Sequence, residues 1–336
     1  MLSYTPARMK NIRVIAFLVL IGVVVLWGVA PVMTKAIYES EPTLYSPGIL
    51  IMLRGLLAVI AMAIFINKGF KKVNKSYLIC IPAGVILALA YIFQFVGLKY
   101  TTASKNAFLE NISCITIPVF MFIFIREKPT WYSIVSALIC VLGSLFLVGN
   151  GFDFLHFFKS GSLMGDGLSA IGGLFFGLDI AFTKVFCKDK DPLIYVFFQL
   201  CVTTVVAAIY TFAFEGPVFH EIRFTFDLVP ILEVIFLGVI CMAVCWVARA
   251  WSMRYIDAVT VSLLVPLSAA VATTLSISFG MENFTLNLLI GGLIILLSIA
   301  ISAIFDYRKG CQSKQIDNNG ESNEEVTSDE PNQSQL

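Results

Sequence analysis

Long apolar runs constrain this sequence more than any other feature. Ten such runs follow one another along the chain of 336 residues, near 14–36, 45–66, 77–98, 101–125, 131–149, 164–186, 192–213, 229–250, 257–280 and 285–305. The hydrocarbon core of a bilayer takes about 20 residues of helix, so each run can cross it. Runs such as "LLIGGLIILLSIAISAIF" lack the alternation that a membrane β-barrel needs. We predict an all-α membrane protein with ten transmembrane helices.

The composition agrees with a chain that lies mostly in lipid. Apolar residues make up 58% of it and charged residues only 13%, against roughly 25% charged residues in soluble domains. Residues 1–13 are predicted to be an uncleaved cytoplasmic segment, and the polar, acidic residues 306–336 a disordered cytoplasmic tail. The net charge of +1 indicates no particular partner, and no nucleic acid is expected.

Basic residues predict the orientation of the chain in the membrane. With a cytoplasmic N-terminus, sixteen of the 23 Lys and Arg fall on the cytoplasmic side and five on the other. Cytoplasmic loops carry the excess of basic residues in membrane proteins. Both termini are therefore predicted to be cytoplasmic, with residues 150–163 as an outer linker, in a multi-pass protein of the plasma or inner membrane.

The sequence also contains an internal repeat. A shift of 155 residues places "KYTTASKNAFLEN" on "RYIDAVTVSLLVP", and a shift of 149 places Gly28 on Gly177 and Lys35 on Lys184. Loops can absorb the difference of six residues, so we predict two five-helix halves, 14–149 and 164–305. Because five is odd, the second half enters the membrane from the opposite side. Inverted repeats of this kind are typical of secondary transporters.

Several motifs resemble those of the drug/metabolite transporter superfamily, EamA type. They are "WGVAPVMTK", "KYTTASKNAF", "IPVF" and "REKPT" in the first half, and "GDGLSAIGGLFFGLDIAFTK" and "RYIDAVTVSLLVPLSA…FGMENFT" in the second. Two details depart from the family pattern: "GMENFT" stands where a "GE" dipeptide is common, and "GLDIAF" contains an aspartate.

The resemblance implies a ten-helix transporter with a central substrate pathway between its two halves. Members of this superfamily move amino acids, other metabolites, nucleotide-sugars or drugs, and the resemblance favours export. We accordingly expect a secondary transporter that needs no ATP, works by alternating access and takes a small-molecule substrate.

Glu110 is the first candidate for a functional residue. It lies about ten residues into the fourth run, where an ionisable side chain costs roughly 2.5–3.5 kcal/mol to insert and therefore faces the bundle interior by default. At helical spacing, Thr102, Asn106, Glu110 and Ser113 share one face. Glu110 is predicted to line a polar cavity, and a packing role through a hydrogen bond to a neighbouring helix is the alternative.

Asp179 repeats this situation in the second half, with the same alternative. One carboxyl group from each half at similar depth would suit coupling to protons. Arg54, in the second run, is predicted either to pair with a carboxylate or to hold an anionic group of the substrate. The sequence leaves both roles open.

Four further residues are candidates for the substrate pathway. Tyr91 and Gln94 form a polar edge of the third run, and Trp27 lies near the middle of the first. Lys35 ends the first run, where a lysine can also extend its amine to the membrane interface.

Other functions are less well supported by the residues. Eight cysteines form no C-x-x-C pair, and His156 and His220 lack ligand neighbours, so no metal or other cofactor is predicted. No catalytic triad or phosphate-binding loop is present, which argues against an enzyme. An intramembrane enzyme acting on lipids and a receptor or scaffold remain the alternatives, and a homodimer is an open possibility.

Overall fold

The computed structural model describes residues 6–40, 46–66, 73–126, 130–148, 163–215 and 228–281, together with residue 128 and parts of 283–305. The predicted outer linker, the predicted cytoplasmic tail, His156 and His220 lie outside the described residues, apart from residue 163. Within the described part every regular element is a helix, as predicted.

The described residues of the first part of the chain form six α-helices. They are α1 (Pro6–Ser40), α2 (Pro47–Phe65), α3 (Cys80–Tyr100), which follows a 3-10 helix at Lys75–Ile79, α4 (Ala103–Glu110), α5 (Ser113–Ile125) and α6 (Trp131–Val148). The second part forms α7 (Leu163–Phe186), α8 (Pro192–Phe214), α9 (Leu228–Ile235), a π-helix (Phe236–Val244), α10 (Cys245–Ser252), α11 (Ala258–Leu264) and α12 (Pro266–Ser278).

Local sequence explains where these helices begin and end. Thr102 caps α4 by accepting a hydrogen bond from the backbone N–H of Lys105, and Asp257 caps α11 through Thr260. Proline occupies the first position of α2 and of α8, where its missing N–H is not needed. Arg126 ends α5 with a left-handed backbone at φ 56°.

Among the described residues, seven helical segments are long and apolar enough to cross a membrane. These segments are Asn11–Ser40, Pro47–Phe65, Lys75–Tyr100, Ala103–Ile125, Leu163–Phe186, Pro192–Phe214 and Leu228–Ser252. Seven of the ten predicted spans are thereby found among the described residues, while the count of ten stays a prediction. The protein is an integral, multi-pass membrane protein.

Helix α3 lies at the centre of the bundle. It packs most extensively against α7 and also against α8, while α2 packs against α8 and the π-helix, and α1 against α12. The α3–α7 contact is close because its glycines lack side chains: a Cβ on Gly172 would lie 2.9 Å from the backbone nitrogen of Gln94. The first and second parts of the chain therefore meet along a tight seam beside the middle of the bundle.

Candidate functional site

A central cavity lies where helices α1 to α5, α7 and α10 converge. Its wall contains five aromatic residues and six polar or charged ones: Trp27, Tyr91, Phe95, Phe176 and Trp246, and Thr34, Arg54, Gln94, Glu110, Ser113 and Arg249. The cavity volume is about 40 Å³. This space accepts a few water molecules but is far below the roughly 300 Å³ of small ligand sites. A metabolite can enter only if the helices around the cavity move.

Arg54 places a positive charge in this wall. Its side chain is 3% exposed, and its guanidinium lies 4.9 Å from the centre of the Phe95 ring and 5.7 Å from that of Tyr91. Its Nε has no hydrogen-bond partner. Among the described residues no carboxylate lies within 4.0 Å of it. Two aromatic faces stabilise the cation, and no carboxylate of the described residues forms an ion pair with it.

Glu110 is the last residue of α4 and lines the same cavity. The chain leaves the helical path at Asn111 and Ile112 before α5 begins at Ser113. Gln94 on α3 donates a hydrogen bond from Nε2 to the Glu110 carboxylate at 2.8 Å. The side chain is half-buried, so it combines an interhelical bond with a position on the cavity wall.

Asp179 has a different environment, because it forms a buried ion pair. Arg249 Nη2 lies 2.7 Å from Asp179 Oδ2, and neither side chain is exposed. Gln199 Nε2 donates to the other carboxylate oxygen at 2.6 Å. The Arg249 guanidinium also lies 3.9 Å from the centre of the Trp246 ring. Arg249 lines the cavity and Asp179 does not, so the carboxylate acts on the wall through its arginine partner.

The aromatic residues of the wall hold one another in place. Trp246 Nε1 donates a hydrogen bond to the Tyr91 hydroxyl at 2.6 Å. Trp27 Nε1 donates to the carbonyl oxygen of Cys241 in the π-helix at 3.4 Å, and the Trp27 and Trp246 rings lie 5.4 Å apart. Phe176 packs on Tyr91 with its ring centre at 5.3 Å. The wall is a connected aromatic surface drawn from four helical elements.

Besides Asp179, two residues of the predicted site, Lys35 and Asn106, lie outside the cavity wall. Lys35 Nζ donates to the carbonyl oxygens of Leu98 and Thr101 at 3.3 and 3.0 Å, so it caps the C-terminal end of α3. Asn106 is fully buried and donates from Nδ2 to the Gln94 carbonyl at 3.0 Å and to Ser169 Oγ at 2.8 Å. Both tie α3 to its neighbours, and Asn106 holds the residue that binds Glu110.

The structure thus brings Trp27, Arg54, Tyr91, Gln94 and Glu110 together around one cavity. The sequence reasoning missed Arg249 and Trp246 as wall residues. A signal for both existed, because the repeat shift of 155 residues relates Gln94 to Arg249 and Tyr91 to Trp246. Applying the repeat to the candidates of the first half would have found them.

A bundle of apolar helices around a small polar and aromatic cavity defines the class as a polytopic membrane protein with an internal cavity. Residues 14–149 and residues 163–304 each match the EamA-like transporter family. The chain belongs to this family, which confirms the resemblance seen in the sequence and makes the protein a transporter.

Individual relatives agree with this assignment, and a solved structure has a similar fold. The chain is 27% identical over 288 residues to the uncharacterized transporter YvbV of Bacillus subtilis, covering 84% of this chain and 90% of YvbV. An uncharacterized transporter of Archaeoglobus fulgidus is 24% identical over 221 residues, covering 66% of this chain and 67% of the relative. One crystal structure has a TM-score of 0.66 at 18% identity, over 86% of this chain and 98% of that one, and shows the likeness in fold.

These findings also bear on the enzyme alternative. The relatives YvbV and YoaV, both of Bacillus subtilis, are named transporters. Their names agree with the expectation that the chain is not an enzyme. Among the described residues no group of three or more His, Cys, Asp or Glu could hold a metal ion.

Proposed function

We propose that the protein is a secondary active transporter of small metabolites that carry a carboxylate, such as amino acids. The observation that carries this proposal is Arg54, a buried guanidinium on the cavity wall without a carboxylate partner among the described residues. A buried charge without a partner is costly, by several kcal/mol for one ion. A carboxylate of the substrate would offset this cost, since the guanidinium fork binds carboxylates with two hydrogen bonds.

Glu110 supplies the opposite charge on the same wall. An amino acid presents a carboxylate and an ammonium group, and Arg54 and Glu110 would bind one each. The aromatic surface around Tyr91 and Trp246 would pack against an apolar side chain and also stabilise a cation through its ring faces. Glu110 is also the group we propose to exchange protons, because it reaches the cavity, whereas Asp179 is occupied by Arg249.

Alternating access between two inverted halves is the mechanism we propose. Residues related by the repeat make related contacts: Lys35 donates to the carbonyls of Leu98 and Thr101, and Lys184 donates to those of Met253 and Ile256. The fourth run is interrupted after Glu110, and its repeat partner is interrupted at Val265. Interrupted helices at the repeat interface are a recurring feature of substrate sites in such transporters.

A direct test uses purified protein in two assays. A thermal-shift screen of amino acids and other small carboxylates should find ligands that raise the melting temperature, because a ligand of the folded state stabilises it. Arg54→Gln should abolish this stabilisation, while Arg54→Lys keeps the charge without the fork and should retain part of it. Arg13→Gln, which changes an exposed arginine on α1, is the control.

The second assay measures accumulation in proteoliposomes without ATP. Uptake or efflux of the same ligand, driven by an imposed pH gradient, is the expected result, and its direction would test the proposed export. Binding without accumulation would favour the receptor or intramembrane-enzyme alternatives. Transport that requires ATP after all ion gradients are collapsed would contradict the proposal.

A further inference from the structure

A second concave surface, which we call the side groove, lies apart from the central cavity. It has a volume of about 720 Å³ and is bounded by α1, α2, the π-helix, α10 and the start of α8. Twelve of its fourteen lining residues are apolar, and none of them belongs to the central cavity. Met62 on α2, Ala243 in the π-helix and Val247 on α10 are examples. These three positions lie within segments apolar enough to span a membrane, so an occupant of this part must be soluble in hydrocarbon.

Both charged lining residues lie at one end of the side groove. Arg254 follows α10, and Asp191 precedes the first residue of α8. The Arg254 guanidinium is exposed and donates a hydrogen bond to the carbonyl oxygen of Lys190, the residue next to Asp191. The Asp191 carboxylate accepts from the backbone N–H of Leu193 at 3.0 Å through one of its oxygens. No ion pair within 4.0 Å joins Arg254 and Asp191.

This end of the groove also has the features of a membrane interface. Asp191 and Arg254 lie just outside the spanning segments Pro192–Phe214 and Leu228–Ser252. Trp251 lines the groove one turn before Arg254, and tryptophan is enriched where lipid meets water. The side groove has apolar walls in the hydrocarbon region and a cation and an anion at the interface. These features match a lipid that has an apolar chain and a headgroup with two charges.

We propose that the side groove binds a phospholipid with an ethanolamine headgroup. Its acyl chain lies along the apolar walls, its phosphate accepts hydrogen bonds from Arg254, and its ammonium donates to the second oxygen of Asp191. A choline headgroup has no N–H to donate, and an anionic glycerol headgroup offers Asp191 no positive charge. The negative charge of Asp191 therefore disfavours the glycerol headgroup, and its hydrogen-bond acceptor favours ethanolamine over choline.

The occupant would also act on the central cavity, because the π-helix lines the side groove and contacts two residues of the cavity wall, Trp27 and Arg54. Val239 and Ala243 of this helix face the side groove, while the Cys241 carbonyl accepts the hydrogen bond from Trp27. Gly238 is so close to α2 that a Cβ would lie 2.9 Å from the Arg54 carbonyl oxygen. π-helical turns are rare and frequently lie at functional sites. A bound lipid would hold the π-helix against α2 and thereby fix one wall of the central cavity.

Native mass spectrometry of the full chain, with defined lipids added to the detergent-purified protein, tests this proposal. The wild type should retain phosphatidylethanolamine about tenfold better than phosphatidylcholine or phosphatidylglycerol, the effect expected of one charge-assisted hydrogen bond. Arg254→Gln should reduce retention of all three phospholipids, since each carries the phosphate. Asp191→Asn keeps the oxygen that caps α8 and should remove the preference for ethanolamine.

Two further variants make the outcome decisive. Ala243→Phe fills the apolar part of the groove and should lower retention of every phospholipid while both charges remain. Lys128→Gln removes an exposed cation outside the groove lining and should change nothing. Equal retention of the three lipids by the wild type would overturn the proposal, as would unchanged retention in Ala243→Phe. A thermal unfolding curve for each variant identifies any that fail to fold. If Arg254→Gln or Ala243→Phe fails to fold, the loss of the ethanolamine preference in Asp191→Asn still tests the headgroup.

Discussion

The indole N–H of Trp246 donates a hydrogen bond to the hydroxyl of Tyr91 at 2.6 Å, and the two residues are 155 positions apart, which is the repeat shift of the sequence. Equivalent positions of the two halves therefore contact each other in the wall of the central cavity. Such a contact agrees with the proposed symmetry relation between the two repeats. It joins α3 to α10 by a polar bond inside an otherwise aromatic surface.

Tyr91→Phe should destabilise the protein, because it leaves the buried Trp246 N–H without an acceptor. The free energy of unfolding should fall by about 1–3 kcal/mol, which a denaturation curve in detergent measures. Tyr132→Phe is a matched control on α6, where the ring packs against Trp131 and Phe305. Equal losses in the two variants would show that the hydrogen bond contributes nothing.

Asp179→Ala should be more damaging, since it leaves Arg249 buried without its counter-charge. Breaking a buried pair on one side costs about 3–5 kcal/mol, so the melting temperature should fall steeply. The double variant Asp179→Leu, Arg249→Met removes both charges and should be less destabilised than the single one. Asp189→Asn, in the exposed turn after α7, is the control. A double variant less stable than Asp179→Ala would contradict this account.

Glu110→Gln should uncouple transport from the pH gradient. The amide keeps the shape and a bond to Gln94 but cannot exchange a proton, and it lowers the insertion cost of the segment, so expression should be unharmed. Flux driven by an imposed pH gradient in proteoliposomes is the measurement, with Glu39→Gln at the exposed end of α1 as control. Wild-type pH-dependent transport in Glu110→Gln would remove Glu110 from the coupling mechanism.

Lys35→Met and Lys184→Met should have similar effects on stability. Each substitution removes a cation that donates to two backbone carbonyls, at the end of α3 or just after α10. The loss should be about 1.5–3 kcal/mol in each case, measured by thermal unfolding. Lys99→Met removes an exposed amine near the same end of α3 and should have little effect. A large difference between Lys35→Met and Lys184→Met would argue against equivalent roles in two repeats.

Cysteine labelling tests the proposed orientation. In a background without the eight native cysteines, Ser160→Cys should react with an impermeant reagent from outside the cell. Lys128→Cys, in a predicted cytoplasmic loop, should react only after the membrane is opened. The reverse pattern would overturn the orientation, and reaction of both positions from the same side would overturn the inverted repeat.

The sequence predicted the helical class, the family and five residues that the structure places on one cavity. These predictions rest on the length of each apolar run and on the cost of placing a charge in the middle of the membrane. Both can be evaluated for one helix at a time. The partner of Asp179 could not be chosen in the same way, because pairing with Arg249 rather than Arg54 depends on how α7, α2 and α10 are arranged in space. The role of Lys35 could not be predicted for the same reason. Its carbonyl partners lie at the end of α3, and the sequence of α1 does not show where α3 lies.

The contact at Gly172 has a consequence for how this transporter could evolve. A Cβ there would meet backbone, at Gln94, whereas a Cβ on Gly55 would meet the Thr204 hydroxyl at 2.3 Å. A hydroxyl can be deleted by mutation and a backbone nitrogen cannot. Sequence variation among descendants of this chain should therefore accumulate on the α2–α8 side, with the α3–α7 seam inherited almost unchanged.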